Sequence, residues 1–305
     1  MKTIFRKELA DYFTSWRVFI LFLLVYGISA VGLWSAHQGI RGVVTTEGFV
    51  FLKLFTTQGG GLPPLTMLVH LIVPWIGIAL GFDAINREYS SGTMSRILSQ
   101  PLYRDSVING KFLAGIVTLS VMLFATVLIV AGVGLAMIGV PPTAEEIIRL
   151  FLYLFFTIVF GAFWMGLAML FSVITKRPAT SFLSSFALWL FFSIIISLVA
   201  QFTANGISPL VEGSGESLIR NVELTQTVMR FSPNFLLQEA SLVLLQPPTH
   251  GSLLLAALVA VEGNPLSLGQ SLLLVWPHLT TLLGLTIVCF GISYVVFMRQ
   301  EVRSA

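Results

Sequence analysis

The sequence predicts an all-α, polytopic membrane protein with six transmembrane helices, an N-terminal interfacial helix and re-entrant external helices before the last span. Three observations predict it. Only 10% of the 305 residues are charged, against roughly 25% in a soluble domain. Hydrophobic residues make up 56%. The few charges are spaced so that residues 18–40, 54–82, 112–144, 150–175, 178–211 and 263–298 hold no Asp, Glu, Lys or Arg. Each stretch supplies the ~20 apolar residues that a helix needs to cross a bilayer. Lipid tolerates only helices or closed barrels, and runs this long and uniform are not barrel strands. The expected spans are 17–36, 63–83, 112–138, 150–174, 181–203 and 272–297, in one unit over 1–305.

Orientation follows from the basic residues. Twelve of the seventeen Lys and Arg, from Lys2 to Arg303, fall on one side of this map; Arg41, Lys53, Arg149, Arg220 and Arg230 fall on the other. The positive-inside rule puts the richer side, with both termini, in the cytoplasm. The chain is therefore expected to be multi-pass in the cytoplasmic (inner) membrane of a prokaryote, among membrane lipids. The basic residues form no stripe, so no nucleic-acid partner is expected. The first apolar run is span-length without a small-residue cleavage site, and reads as a retained signal anchor. One cysteine, Cys289, excludes a disulfide framework within the chain.

Residues 2–16 form an amphipathic pattern. Phe5, Leu9, Tyr12, Phe13 and Trp16 share one face, and Lys7, Glu8, Asp11 and Thr14 the other. Such a helix beds its aromatics at headgroup depth, with Phe13 and Trp16 as membrane-interface anchors. Residues 37–62 are external and end in the flexible break Gly59-Gly-Gly-Leu-Pro-Pro64. The second span carries Gly77-Ile-Ala-Leu-Gly81, a spacing that suits a close internal helix contact and a subunit contact equally. Asp83, where this span leaves the membrane, reads as a snorkelling or capping carboxylate.

Residues 84–110 interrupt the apolar pattern with a charged island. It runs Asn86-Arg-Glu88-Tyr-Ser-Ser-Gly92-Thr93, then Leu98-Ser-Gln-Pro101-Leu102-Tyr-Arg104, then Gly110-Lys111. Gly92 permits a tight redirection of the chain, and Pro101 ends a helix before it. Two short helical pieces across the membrane face would leave Glu88, Arg96 and Arg104 free to pair with a soluble partner. Residues 204–270 form the long external segment, expected as short helices capping the outer face. Within it residues 240–261 are apolar but broken at Gln246-Pro-Pro-Thr-His-Gly251, which makes them re-entrant or interfacial rather than spanning.

Chemistry of the chain's own finds no support in its motifs. No Gly-x-x-x-x-Gly-Lys-[Ser/Thr] loop is present, since Gly110-Lys111 is followed by Phe112. His37, His70, His250 and His278 stand too far apart for a metal motif. Glu145-Glu146 with Arg149 faintly resembles an intramembrane protease pattern, but acids at the positive end of a helix dipole explain it more simply. His70 and His278 lie near Pro74 and Pro277, whose freed carbonyls would accept a ring N–H. A nearly charge-free interior argues against an ion channel or a proton-coupled carrier. It suits an amphipathic or lipid-like cargo, while twenty-five phenylalanines fit plain lipid exposure equally well.

The island resembles the signature of ABC transporter permeases of the type-2 exporter family, in which an acidic residue, a Gly-Thr pair and a Pro-apolar-x-Arg turn lie between the second and third spans. The resemblance implies that Glu88, Gly92, Thr93, Arg96, Pro101 and Arg104 couple this chain to a separate ATP-binding-cassette ATPase subunit. It further implies no cofactor in this chain, with ATP and Mg held by that partner, and a pathway completed by a second permease copy or homologue. Residues 2–16 then match the family's elbow helix. The long external segment resembles copper-maturation, multidrug and natamycin-type members alike. Two other classes remain open at this stage: an intramembrane enzyme, and a membrane scaffold that binds an ATPase without moving cargo.

Overall fold

The computed structural model describes residues 1–40, 49–90, 103–175, 177–209, 215–246 and 266–300. Six helices are long and apolar enough to cross a membrane: Trp16–Ile40, Leu65–Ser90, Arg104–Ile138, Ala144–Ile174, Pro178–Ile207 and Leu268–Arg299, here spans 1 to 6. An initial helix, α1 (Lys2–Thr14), precedes span 1, which is α2 (Trp16–Ile40). Span 2 comprises α4 (Leu65–Gly81) and a short continuation, α5 (Asn86–Ser90), after a one-turn helix α3 (Lys53–Thr56). Spans 3 and 4 are α6 (Arg104–Ile138) and α7 (Ala144–Ile174). Span 5 is α8 (Pro178–Leu190), a π segment (Phe191–Ile195) and α9 (Ile196–Ile207). Then follow α10 (Gly215–Met229), α11 (Pro233–Leu245) and span 6, α12 (Leu268–Arg299).

Spans 3 and 4 both begin before the expected residues 112 and 150, for capping reasons. Asp105 lies in the first turn of α6, favourable at the positive end of the dipole. In α7, Thr143 and Glu146 form a capping box: the Thr143 hydroxyl accepts from Glu146 N, and Glu146 Oε2 accepts from Thr143 N at 2.8 Å. Glu146 Oε1 also accepts from Phe51 N at 2.8 Å. The acidic pair thus serves a helix terminus.

Span 4 is the axle of the bundle. Its most apolar window is 78% buried, whereas that of span 5 is 6% buried, so span 5 lies against the body with most of its surface uncovered. Span 2 reaches span 4 through its glycines. A Cβ at Gly77 would stand 2.5 Å from the Gly161 carbonyl oxygen, and one at Gly81 2.5 Å from that of Met165. The small-residue spacing is therefore spent on an internal helix contact.

The face opposite the chain ends is held by Arg149, which is fully buried. Its Nε and Nη2 donate to Glu145 Oε1 at 3.0 and 2.8 Å. Nη1 reaches the Leu244 carbonyl (3.3 Å) and Ser271 Oγ (3.1 Å), and Nη2 the Leu266 carbonyl (2.7 Å). The ring of Phe49 lies 4.9 Å from the guanidinium. One side chain thus ties span 4 to α11 and to the start of span 6, using the fixed fork that lysine lacks.

Helix α11 is 13 residues long, about 20 Å, too short to cross the ~30 Å hydrocarbon layer. It packs among spans 2, 4 and 6. Both membrane histidines are used on it, which corrects the expectation that they serve proline-freed carbonyls. His70 Nε2 lies 2.9 Å from Ser241 Oγ, and His278 Nε2 lies 2.6 Å from Glu239 Oε2. A side chain within reach on a neighbouring helix offers better geometry than the backbone of its own. Arg230 completes the Glu239 site at 2.6 Å. Burial alone would raise the Glu239 carboxyl, but hydrogen bonds from His278 and Arg230 hold it down at about 2. The second half of the expected re-entrant segment lies outside the described residues.

Gly81→Leu is expected to lower the stability of the purified chain by about 2 kcal/mol, the cost of overpacking a close contact. Gly284→Leu, where a Cβ meets nothing within 4 Å, is the control. Equal melting temperatures for the two variants in detergent would show that the contact between spans 2 and 4 does not matter.

Candidate functional site

At the face where α1 and the last residues of span 6 lie, α1, α5 and the first turns of span 3 converge on one ammonium. Lys111, 5% exposed, lies 2.7 Å from Glu88 Oε1 and 2.9 Å from Glu8 Oε1. Lys7 Nζ stands 3.3 Å from the same Glu8 oxygen. Glu8, Glu88 and Lys111 come from three separate elements, α1, α5 and span 3.

This geometry corrects two expectations. Glu8 does not share the outer face with Lys7, Asp11 and Thr14; its side chain is 12% exposed and turned inward. The reason is register: Ile4, Glu8 and Tyr12, spaced four residues apart, form the stripe that α1 lays on the bundle, and Ile4 and Tyr12 are buried. Nor is Glu88 held out for a partner, since it is 8% exposed and engaged by Lys111. A carboxylate and an ammonium that leave water together must meet.

The remaining bonds fix the stem to the body. The Tyr12 hydroxyl donates to the Leu80 carbonyl at 3.1 Å, joining α1 to the end of α4. Burial, with the Glu8 carboxylate nearby, pushes the Tyr12 phenol up from its ordinary value. Asp83 pairs with Arg17 at 2.5 Å, and the Arg17 guanidinium lies 5.5 Å from the centre of the Phe82 ring. Ser172 Oγ of span 4 accepts from Ile85 N (3.0 Å) and Asn86 N (3.2 Å), the orphan donors that open α5. Arg104 Nη1 donates to the Gln300 carbonyl (2.9 Å), Tyr89 Oη to Gln300 Oε1 (3.4 Å), and Gln300 Nε2 to the Val173 carbonyl (2.7 Å). Arg104 thus holds the end of span 6. A cavity of about 520 Å³ lies between α1 and the stem, lined by Arg17, Asp83, Arg87, Glu88 and Lys111 among others.

Phe13 and Trp16 stand outside this junction, 49% and 73% exposed. Trp16 stacks on Phe19 with ring centres 5.0 Å apart. Gly92, Thr93, Arg96 and Pro101 lie outside the described residues. Of the six coupling candidates, Glu88 is placed in α5 and Arg104 at the first residue of span 3, on either side of residues 91–102. Sequence reasoning missed Glu8, Ser172 and Gln300, which carry no motif; Lys111 was visible in the island, without its partners.

Six apolar helices, closed at one end by a polar junction beside a charged loop, define a multi-pass membrane protein. A model of the ABC-2 family transporter proteins matches residues 2–302, and the chain belongs to that family. A Pseudomonas aeruginosa protein described as a probable ABC transporter permease protein NosY is 28% identical over 199 residues, which cover 64% of this chain and 68% of that one. A protein of the same description from Stutzerimonas stutzeri is 31% identical over 144 residues, covering 44% of this chain and 48% of its own. An ATPase partner goes with permeases of this family in general.

Lys111→Met is expected to leave the Glu8 and Glu88 carboxylates buried without their cation and to cost about 3 kcal/mol. Trypsin should then cut sooner at Arg6 and Lys7 as α1 loosens. Removing all three charges together, with Glu8→Gln and Glu88→Gln added, should recover most of the loss. A Lys111→Met chain with unchanged melting and unchanged cleavage would show the junction to be incidental.

Proposed function

We propose that the chain is the membrane-spanning permease subunit of an ABC transporter, exporting a hydrophobic or amphipathic compound across the cytoplasmic membrane with ATP hydrolysed by a separate subunit. The observation that carries this reading is the Lys111 junction, which joins the stem of the island to the elbow helix and the bundle. A partner pressing on residues 84–110 has a rigid route into spans 3, 4 and 6, and alternating access needs such a link where the energy comes from elsewhere.

In this reading Gly92, Thr93, Arg96 and Pro101 meet the ATPase subunit. Glu88 and Arg104 act one step back, by holding the ends of the segment that presents them. Phe13 and Trp16 anchor the elbow among the headgroups, where exposed aromatic rings are at home. ATP and Mg belong to the partner. Both termini are cytoplasmic, as the excess of Lys and Arg on their side supports. A second permease copy or a homologue completes the pathway, and the uncovered surface of span 5 is available to it. The relatives described as probable ABC transporter permeases support the same assignment.

Replacing Glu88 and Arg104 by Ala should weaken co-purification of the ATPase several-fold while the permease stays in the membrane. Unchanged co-purification would remove the docking role of this segment, and docking without cargo movement in vesicles would make the chain a scaffold. Separately, cysteines at positions 91 and 215, with Cys289 removed, should label from opposite sides of the membrane with an impermeant maleimide. Labelling from one side would overturn the orientation.

A further inference from the structure

Helix α1 presents three sides with different occupants. Ile4, Glu8 and Tyr12 turn to the bundle. Lys7 and Asp11 pair at 3.6 Å on an exposed side. At 100° per residue, Lys2, Arg6, Leu9 and Phe13 fall within about 60° of one another on a third side. Lys2, Arg6 and Phe13 are exposed there and Leu9 is half-buried.

Contacts at both ends of α1 place this third side at the edge of the lipid. Near its start, a Cβ at Gly110 of span 3 would stand 3.0 Å from Ile4 Cγ2. Near its end, Tyr12 donates to the Leu80 carbonyl of span 2. The helix therefore runs across the ends of two spans. It breaks at Ser15, where the backbone is extended, and span 1 begins at Trp16. Phe13 reaches Phe22 of span 1 with ring centres 6.2 Å apart, and Trp16 stacks on Phe19. Phe19, Ile20 and Leu23 are 54%, 49% and 63% exposed and carry apolar surface on down the span. Lys2 and Arg6 thus stand where that surface ends, at the depth of the lipid headgroups.

Charge selects among the lipids. No Asp or Glu shares this side, since Glu8 meets Lys111 and Asp11 meets Lys7. Neither Lys2 nor Arg6 makes an ion pair among the described residues. Residues four apart on a helix are about 5–6 Å apart at Cβ, so both cations reach one phosphate. A zwitterionic headgroup would bring a like charge up beside them, and an anionic one does not.

We infer that this side of α1 binds an anionic phospholipid, its phosphate held by Lys2 and Arg6 and its upper acyl chain against Leu9, Phe13 and Trp16, a preference that rests on the interfacial elbow of the permease reading and goes beyond it. The elbow helix is then gripped from two directions, by a lipid phosphate outside and by Lys111 within.

The test places the full chain in phosphatidylcholine nanodiscs with a trace of photoactivatable phosphatidylglycerol, or of the matching phosphatidylcholine, and maps the label by mass spectrometry. Residues 2–13 should take label from the phosphatidylglycerol about fivefold more than from the phosphatidylcholine, the effect of at least one basic residue at an anionic headgroup. Unlabelled phosphatidylglycerol should compete the label away, and inorganic phosphate should not. Lys2→Gln and Arg6→Gln should each weaken that competition about fivefold. Arg177→Gln removes an exposed charge from the turn between spans 4 and 5 and should leave the labelling of α1 unchanged. Should a variant fail to fold, the comparison of the two lipids on the unaltered chain still decides. Equal labelling by both lipids, displacement by inorganic phosphate, an equal loss in Arg177→Gln, or wild-type competition with Lys2→Gln and Arg6→Gln combined would each overturn the inference. Labelling by neither lipid overturns it too and takes the interfacial elbow with it. Co-purification of the ATPase is scored apart, so failure of the permease reading is seen separately from failure of the lipid site.

Discussion

Taking an ammonium out of water costs several kcal/mol unless carboxylates come with it, and this requirement organises the end of the molecule where α1 meets the first turns of span 3. Lys111 is buried and meets Glu8 and Glu88 at once. Since the three residues belong to separate elements, satisfying one charge positions three backbones. Apolar contacts between helices are non-directional and would let α1 slide along span 3. Ion pairing at 2.7 and 2.9 Å does not. Arg149 applies the same constraint at the other end, where its donors reach four different residues. Between these two points the bundle is held by shape, through contacts such as that of Gly81 on Met165.

The distribution of polar ties divides the molecule mechanically. Around the stem, Ser172 brings in span 4, Lys111 brings in span 3, and the Tyr89–Gln300 bond brings in the end of span 6. The elbow joins through Glu8 and Tyr12. Span 5 has less of this: its polar ties to the spans and α11 are near the π segment, through Asn234 of α11 and its N-cap Ser232, and at Ser181, whose hydroxyl reaches the Ala168 carbonyl at 3.4 Å, while its far end is tied to α10, where Asn221 Nδ2 donates to Asn205 Oδ1 at 3.0 Å. A force applied at the stem is therefore shared by spans 3, 4 and 6 as one body. Span 5 meets them along a mostly apolar seam, in which the Trp75 ring stands edge-on to Phe186 and Trp189.

The six spans and the glycine-proline break before span 2 were legible because lipid makes hydropathy and charge spacing nearly sufficient. The island was legible because charge is expensive near a membrane and stands out. What stayed hidden were the partners. Glu8 on an amphipathic helix reads as solvent-facing until something cationic is known to wait on the other side, and Lys111 lies about a hundred residues away with no spacing to announce it. Arg149 read as an outer-loop cation for the same reason; two of its four acceptors are backbone carbonyls, which no side-chain pattern records. Ser172 and Gln300 act through their bonds to α5, to Arg104 and to the Val173 carbonyl, and such roles fall on whichever small polar residue the packing brings near.

The histidines show how the same physics decides between two plausible partners. Pro74 and Pro277 do free carbonyls within reach of their helices, so a local bond was the economical expectation. Yet Glu239 and Ser241 are two residues apart on α11, which places them about 200° apart around the helix. His278 takes one from span 6, and His70 takes the other from span 2. A short helix gripped on opposite sides by two spans cannot rotate, and Arg149 at the Leu244 carbonyl limits its sliding. Local bonds would have satisfied the rings without fixing α11 at all.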